Sequence, residues 1–244
     1  MKLFIDIGNS RLKWGAWDGA DWTAEGSIAT DSDALTDWIA SIPRPDGIWI
    51  ASVSAEDSVI RVADACKAAF GVTPVRLKTA AETRGVRCAY AEPRRLGVDR
   101  WLAVVAAFLD TGGPAIVFDC GTAITVDAVT ANGEHLGGLI VPGMRLMCRA
   151  LYGSTAGIPD EGDIGDVGLL ARDTRSAVSG GSFYAAIAFM QHVAAELRTH
   201  LGAGTRVLLT GGDAERLRPL LDPDFEWRPR LVMEGMRAMV EEKT

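Results

Sequence analysis

Two short stretches of this 244-residue chain join a carboxylate to a glycine and a small polar side chain at the end of an apolar run. Asp6-Ile7-Gly8-Asn9-Ser10 follows Leu3-Phe4-Ile5, and Asp119-Cys120-Gly121-Thr122 follows Ala115-Ile116-Val117-Phe118. Such a run reads as a buried strand, the glycine lets the backbone turn tightly, and the carboxylate and its polar neighbours suit a phosphate or a metal–phosphate cluster. One tetrad alone is an ordinary Asp-Gly turn. Its recurrence in matching context points to two related lobes facing each other across a nucleotide cleft. Lys13, on the strand after the first turn, is a point charge that can reach a β- or γ-phosphate; taken alone it is an exposed hairpin lysine.

Two further stretches carry candidate chemistry. In Gly97-Val98-Asp99-Arg100 an acid and a base lie adjacent where an Arg-rich connection turns into an apolar helix. Asp99 can accept a proton from a hydroxyl nucleophile and Arg100 can hold a carboxylate through a bidentate pair. The structural alternative is an acid that complements the helix dipole with Arg100 paired to it. Thr210-Gly211-Gly212-Asp213 sits between an expected strand and helix, where backbone N–H groups favour an anion; the alternative is a glycine turn with an Asp N-cap. The sequence has neither a G-x-x-x-x-G-K-[ST] loop nor a G-x-G-x-x-G fingerprint, so neither a P-loop nor a dinucleotide fold is supported.

The elements that must position these residues follow from periodicity and turn chemistry. Strands are expected at 2–7, 11–17 and 22–29, then a helix N-capped within Thr30-Asp31-Ser32 and ended by Pro43 and Pro45. A strand at 47–53 precedes a helix opened by a capping box at Ser54-x-x-Asp57, and a short strand lies near Val75. The connection 79–97 is irregular and rich in arginine around Tyr90, which suits a functional segment. After the helix near 101–109, Thr111-Gly112-Gly113-Pro114 marks a boundary. The second half repeats the order of the first: strands at 115–119, 123–129 and 134–141, a helix at 143–151, a loop at 153–168, a helix at 173–199, a strand at 206–209 and helices at 214–221 and 232–241. The expected class is α/β, with lobes at 1–112 and 113–244, each a mixed sheet flanked by helices.

Composition narrows the function classes. With 48% hydrophobic residues the chain can bury sizeable cores, and a net charge of −7 with scattered Lys and Arg argues against a nucleic-acid partner. Cys66, Cys88, Cys120 and Cys148 lie far apart without a C-x-x-C pair, so reduced thiols and no structural metal are expected. Of His135, His192 and His200, only His135 falls near the expected cleft, and it reads as a solvated residue on a hairpin edge. With no signal peptide or membrane span in the N-terminal pattern, a cytoplasmic protein is expected.

Taken together and in order, these motifs resemble the type III pantothenate kinases of the acetate kinase, sugar kinase, Hsp70 and actin superfamily. The match runs through Asp6-x-Gly8-Asn9-Ser10 with Lys13, Tyr90 with Pro93 and Leu96-Gly97-Val98-Asp99-Arg100, and Asp119-Cys120-Gly121-Thr122-Ala123 with Thr125 and Asp127. It continues through Gly137-Gly138-x-Ile140-x-Pro142-Gly143, Thr174 and Leu209-Thr210-Gly211-Gly212-Asp213. The resemblance implies two RNase H-like lobes and ATP-dependent phosphorylation of pantothenate, the first committed step towards coenzyme A. It implies that Asp6, Ile7, Gly8, Asn9, Ser10, Arg11, Leu12 and Lys13 bind ATP with Thr122; Mg²⁺ is then expected near Asp6, because it usually binds through one or two carboxylates plus substrate phosphates. It implies that Asp119 holds a monovalent cation, potassium or ammonium, and that Tyr90, Gly97, Val98, Asp99, Arg100 and Thr174 hold pantothenate, with Asp99 as proton acceptor. A homodimer whose interface contributes to the pantothenate pocket is implied as well. Two other classes stay open: a kinase of the same superfamily acting on another small hydroxy acid, and a non-catalytic nucleotide-binding regulator.

Overall fold

The computed structural model describes residues 1–29, 34–154 and 167–241. The expected N-cap at 30–32 and most of the 153–168 loop lie outside the described residues. The chain divides into two compact units, Met1–Leu109 with Arg230–Thr244, and Asp110–Pro229.

In the first unit β1 (Lys2–Ile7), β2 (Arg11–Trp17) and β3 (Trp22–Ala29) form an antiparallel meander, followed by α1 (Ala34–Ser41), β4 (Gly47–Ser52), α2 (Glu56–Phe70) and β5 (Val75–Arg76). β4 and β5 add in parallel, giving the order β3-β2-β1-β4-β5. Alternation along β1 sends Leu3, Ile5 and Ile7 into a core with Trp38 and Ile39 of α1 and Val59, Val62, Cys66 and Phe70 of α2. Each such apolar side chain contributes about 1.5–3 kcal/mol of transfer free energy. On the opposite face Phe4 stacks on Trp49, with centroids 5.5 Å apart, and meets Trp22 edge-on. The capping box expected at Ser54-x-x-Asp57 does not form: Ala55 is the N-cap of α2 without a side-chain bond, and the Ser54 amide donates instead to Ser52 Oγ at 3.0 Å. Ser52 Oγ in turn donates to the Ile7 carbonyl, so this serine is spent on tying the ends of β1 and β4 together.

The connection from 79 to 97 holds a small hairpin, β6 (Glu82–Thr83) and β7 (Val86–Arg87), and a 3₁₀ turn at Pro93–Arg95. It leads into α3 (Val98–Thr111), whose residues Val98 and Arg100 to Ala107 are all buried.

The second unit repeats the pattern. β8 (Ala115–Cys120), β9 (Ala123–Val129) and β10 (His135–Pro142) form the meander. α4 (Met144–Ser154) and α5 (Thr174–Leu201) follow, then β11 (Arg206–Thr210), α6 (Ala214–Leu217) and β12 (Phe225–Trp227). The sheet order is β10-β9-β8-β11-β12, with β11 and β12 parallel to β8. Ile116, Phe118 and Cys120 alternate into a core with Phe183, Ile187 and Met190 of α5. Both halves are therefore RNase H-like lobes: three antiparallel strands extended by a parallel pair, flanked by helices.

The last helix, α7 (Leu231–Val240), folds with the first unit rather than with the second lobe expected from sequence. A Cβ at Gly235 would lie 2.1 Å from the Leu102 carbonyl oxygen, so glycine is what lets α7 approach the backbone of α3 this closely. Among the described residues no helix is long and apolar enough to cross a membrane.

Candidate active site

In the first unit the β1–β2 turn is closed by the Gly8 amide, which donates to the Arg11 carbonyl at 3.0 Å. Asn9, Ser10 and Arg11 are exposed, while Ile7 and Leu12 are buried and anchor the turn from beneath. Asp6 and Lys13 are direct cross-strand partners. Their side chains thus project from one face, opposite the Leu3-Ile5-Ile7 core, with a carboxylate beside an ammonium group. The Asp6–Lys13 stretch expected to meet phosphate is one continuous, sheet-anchored feature.

The Gly97-Val98-Asp99-Arg100 stretch forms the first turn of α3. Asp99 Oδ1 accepts the Arg100 amide at 2.7 Å. A Cβ at Gly97 would fall 2.6 Å from that same oxygen, so the missing side chain makes room for the carboxylate. Arg100 is only 7% exposed, and its Nη1 donates to the Tyr90 hydroxyl at 3.3 Å. Val98 is buried and fixes the start of the helix. The structure therefore brings Tyr90, Gly97, Asp99 and Arg100 together, from a connection and a helix start that share no sheet strand.

In the second unit Asp119 is paired across the sheet with Thr125 of β9 and with Thr210 of β11. The Gly121 amide donates to the Ala123 carbonyl and the Gly143 amide to the Thr122 carbonyl, both at 2.9 Å, which holds the exposed Thr122 at the turn. Gly211 has φ +98°, and a Cβ there would lie 2.3 Å from the Cys120 carbonyl oxygen and 2.5 Å from Asp119 Oδ1. The Asp213 amide donates to the same Cys120 carbonyl. Burial pushes the Cys120 thiol well above its ordinary value, and the charges of Asp119 and Asp213 push in the same direction, which marks two carboxylates near the end of β8.

The reading of Thr210–Asp213 as an anion site on a helix dipole does not hold. α6 has four residues, too short for an appreciable macrodipole, and Asp213 makes no side-chain cap bond. A carboxylate-flanked turn with threonine oxygens is instead a hard, oxygen-rich setting that fits an alkali-type cation. For Mg²⁺ the fit is partial: Asp6 offers one carboxylate, which is enough where substrate phosphates complete the coordination.

Thr174 is exposed in the first turn of α5, next to Asp173, whose Oδ1 accepts the Ser176 amide at 2.8 Å and whose carboxyl is held below its ordinary value by that bond. A cavity of about 630 Å³ lined by Arg198, Arg206, Asp224 and Glu226 opens at the start of β11. Thr210 and Gly211 lie at the other end of that strand, so this cavity is separate from the second unit's candidate turn.

Some features escaped sequence reasoning. His135 is 3% exposed and donates Nε2–H to Asp127 Oδ1 at 2.9 Å, which corrects its reading as a solvated edge residue. A β-bulge between His135 and Gly137, where φ is +93°, explains the difference, because a bulge resets which side chains face inward. The Trp101 indole, fully buried beside Arg100, donates to Thr83 Oγ1 at 3.1 Å. Neither pairing has a mark at the level of local spacing.

The twice-repeated sheet, with a carboxylate closing the first strand of each copy, defines a duplicated RNase H-like fold. It aligns with a protein assigned to the Baf family of transcriptional activators from Campylobacter jejuni (TM-score 0.56, 20% identity, 98% of this chain and 96% of that one). It also aligns with the ethanolamine utilization protein EutJ from Carboxydothermus hydrogenoformans (TM-score 0.52, 17% identity, 98% and 89%). At these identities the likeness concerns the fold alone. The profile of the family described as type III pantothenate kinase matches residues 2–196. Type III pantothenate kinases from Alkalilimnicola ehrlichii (39% identical, 98% of each chain) and Nitrosococcus oceani (32% identical, 99% of this chain and 94% of that one) align along almost their whole length. The chain belongs to the type III pantothenate kinase family.

Proposed function

We propose that this protein phosphorylates the terminal hydroxyl of pantothenate with ATP, giving 4′-phosphopantothenate for coenzyme A synthesis. The observation that carries the reading is Asp99, seated over a glycine at the start of α3 and next to the buried Arg100, which donates to Tyr90. That places a proton acceptor beside a guanidinium suited to a carboxylate, and pantothenate presents both a hydroxyl and a carboxylate.

Phosphoryl transfer through a loose transition state depends on positioning and charge neutralisation. Asp6, Ile7, Gly8, Asn9, Ser10, Arg11, Leu12 and Lys13 bind ATP together with Thr122: Lys13 and the Gly8–Ser10 backbone steady the phosphates, and Ile7 and Leu12 anchor the turn. Asp6 holds Mg²⁺, which supplies charge neutralisation on the phosphate oxygens. Asp119, beside Thr125 and Thr210, holds a potassium or ammonium ion. Tyr90, Gly97, Val98, Arg100 and Thr174 bind pantothenate. Asp99 takes the hydroxyl proton as the new O–P bond forms and the bond from the γ-phosphorus to the ADP oxygen breaks.

We place the enzyme in the cytoplasm, in keeping with four free thiols, and as a homodimer. The exposed apolar side chains of Leu136, Leu139 and Ile140 on edge strand β10, with Leu146 and Leu151 on α4, support coverage by a second copy. The test is ATP turnover with and without pantothenate, in potassium and in sodium. Stimulation by pantothenate that needs potassium supports the proposal. Stimulation only by another hydroxy acid would reassign the substrate, and no stimulation by any acid would leave a nucleotide-binding regulator.

A further inference from the structure

Arg84 is, among the described residues, the one non-glycine with positive φ, at 53°; with Gly85 at 84° it makes the two-residue turn of the β6–β7 hairpin. That backbone state costs a residue bearing a Cβ about 1–2 kcal/mol, and Asn or Gly fills such turns more readily. Its side chain accounts for the residue. Arg84 Nε donates to the Ala238 carbonyl at 2.7 Å, and Nη2 donates to the Glu241 carbonyl. These carbonyls end α7 and have no donor within the helix. Arg84 therefore bolts the hairpin tip to α7, which Gly235 seats against α3.

The residue before it, Thr83, accepts the Trp101 indole from α3, so the hairpin is tied to both helices. Trp101 directly follows Arg100, and the chain leaving the hairpin reaches Tyr90 three residues after β7, where the Arg100 guanidinium donates to its hydroxyl. A two-stranded hairpin with two-residue strands has no stability of its own. Its orientation, and with it the placement of Tyr90 against Arg100, is held by these two ties together with the buried Val86 of β7.

We infer that Arg84 is a positioning residue for pantothenate: by clamping the hairpin to α7 it sets the Tyr90–Arg100 pair without touching the substrate. The inference rests on the assignment of Tyr90 and Arg100 to pantothenate binding, and its test separates the two.

Arg84→Gly preserves the turn conformation while deleting the clamp. Expected is a rise of about tenfold in KM for pantothenate, with kcat and KM for ATP within about twofold of the wild type. Arg84→Lys, which can reach one carbonyl but not bridge both, should recover part of that loss. An unchanged pantothenate KM, or equal rises in both KM values, would overturn the inference. Hydrogen exchange on the free protein decides it without substrate: amides at 86–101 should exchange faster in Arg84→Gly while those of β1 and β4 stay protected, and unchanged exchange at 86–101 would overturn it. If wild-type turnover ignores pantothenate, the substrate reading fails and the exchange result alone judges the clamp. Should Arg84→Gly not fold, Thr83→Val cuts the other tie and should give the same KM pattern and the same exchange pattern.

Discussion

The two units are built on one plan and end their first strands differently. In the first, Asp6 closes β1 opposite Lys13; in the second, Asp119 closes β8 opposite Thr125 and beside Thr210. A carboxylate facing an ammonium is neutralised locally, and the pair leaves a positive charge to offer to a phosphate when the acid is engaged elsewhere. A carboxylate among threonines, with Asp213 nearby, has no cationic neighbour across the sheet, which is the setting we propose for a monovalent cation. In the proposed assignment the same turn serves opposite charges because both cross-strand neighbours differ, Lys13 and Ala51 beside Asp6 and Thr125 and Thr210 beside Asp119. The ends of the parallel strands diverge too. In the first unit a side chain, Ser52 Oγ, ties β4 to the Ile7 carbonyl; in the second the backbone does it, through the Asp213 amide on the Cys120 carbonyl.

The sharpest way to break this contrast is to remove each charge in turn. Lys13→Ala should raise KM for ATP by about tenfold to a hundredfold, the range of one lost charge-assisted bond, and leave potassium activation intact. Asp119→Asn should do the reverse, abolishing the preference for potassium over sodium while ATP affinity changes little. Steady-state kinetics in both salts would show it, and matching phenotypes in the two variants would erase the distinction.

The glycines packed nearest the two turns should differ in the same sense. Gly211→Ala places a Cβ 2.3 Å from a backbone oxygen at φ +98° and should destabilise the protein by more than about 2 kcal/mol in denaturant titration. Gly8→Ala meets only the Arg11 carbonyl at 3.2 Å, at a φ open to L-residues, and should cost less than about 1 kcal/mol. Equal losses would mean that the close packing of Gly211 on the Cys120 backbone is not what distinguishes the end of β8.

A smaller effect is expected at the edge strand β12. Arg206 hydrogen-bonds Glu226 through two nitrogens, at 2.7 and 2.6 Å, and holds its carboxyl below the ordinary glutamate value of 4.5. A depressed carboxyl stabilises the fold above its unfolded pKa, and the contribution fades as pH falls through the folded one. Thermal unfolding of Glu226→Gln should therefore match the wild type most closely at low pH and fall below it from about pH 5 upward.

Much of this contrast was legible in the sequence. Asp6-x-Gly8 and Asp119-x-Gly121 sit at the ends of alternating strands, and both strand periodicity and turn glycines are local signals. The repeat of three strands before each helix followed from the same signals. What stayed hidden depends on distant partners. Nothing near residue 230 says that α7 packs on α3 of the first unit; that follows from Gly235 meeting Leu102. β12 is three residues long and is defined only by pairing with β11. The inward turn of His135 follows from a bulge set by Gly137, and the missing Ser54 cap from α2 starting one residue later, with Ala55 at its N-cap. The acid at residue 99 was readable as a candidate, but its seat over Gly97 and the burial of Arg100 needed the fold.

The measurement that bears most directly on the central claim is product formation by Asp99→Asn at saturating ATP and pantothenate in potassium, with 4′-phosphopantothenate quantified by mass spectrometry. The account predicts that the wild type makes the product and that the variant, still folded and still binding ATP, makes it about 10²- to 10⁴-fold more slowly. Near-normal product formation by Asp99→Asn would contradict it.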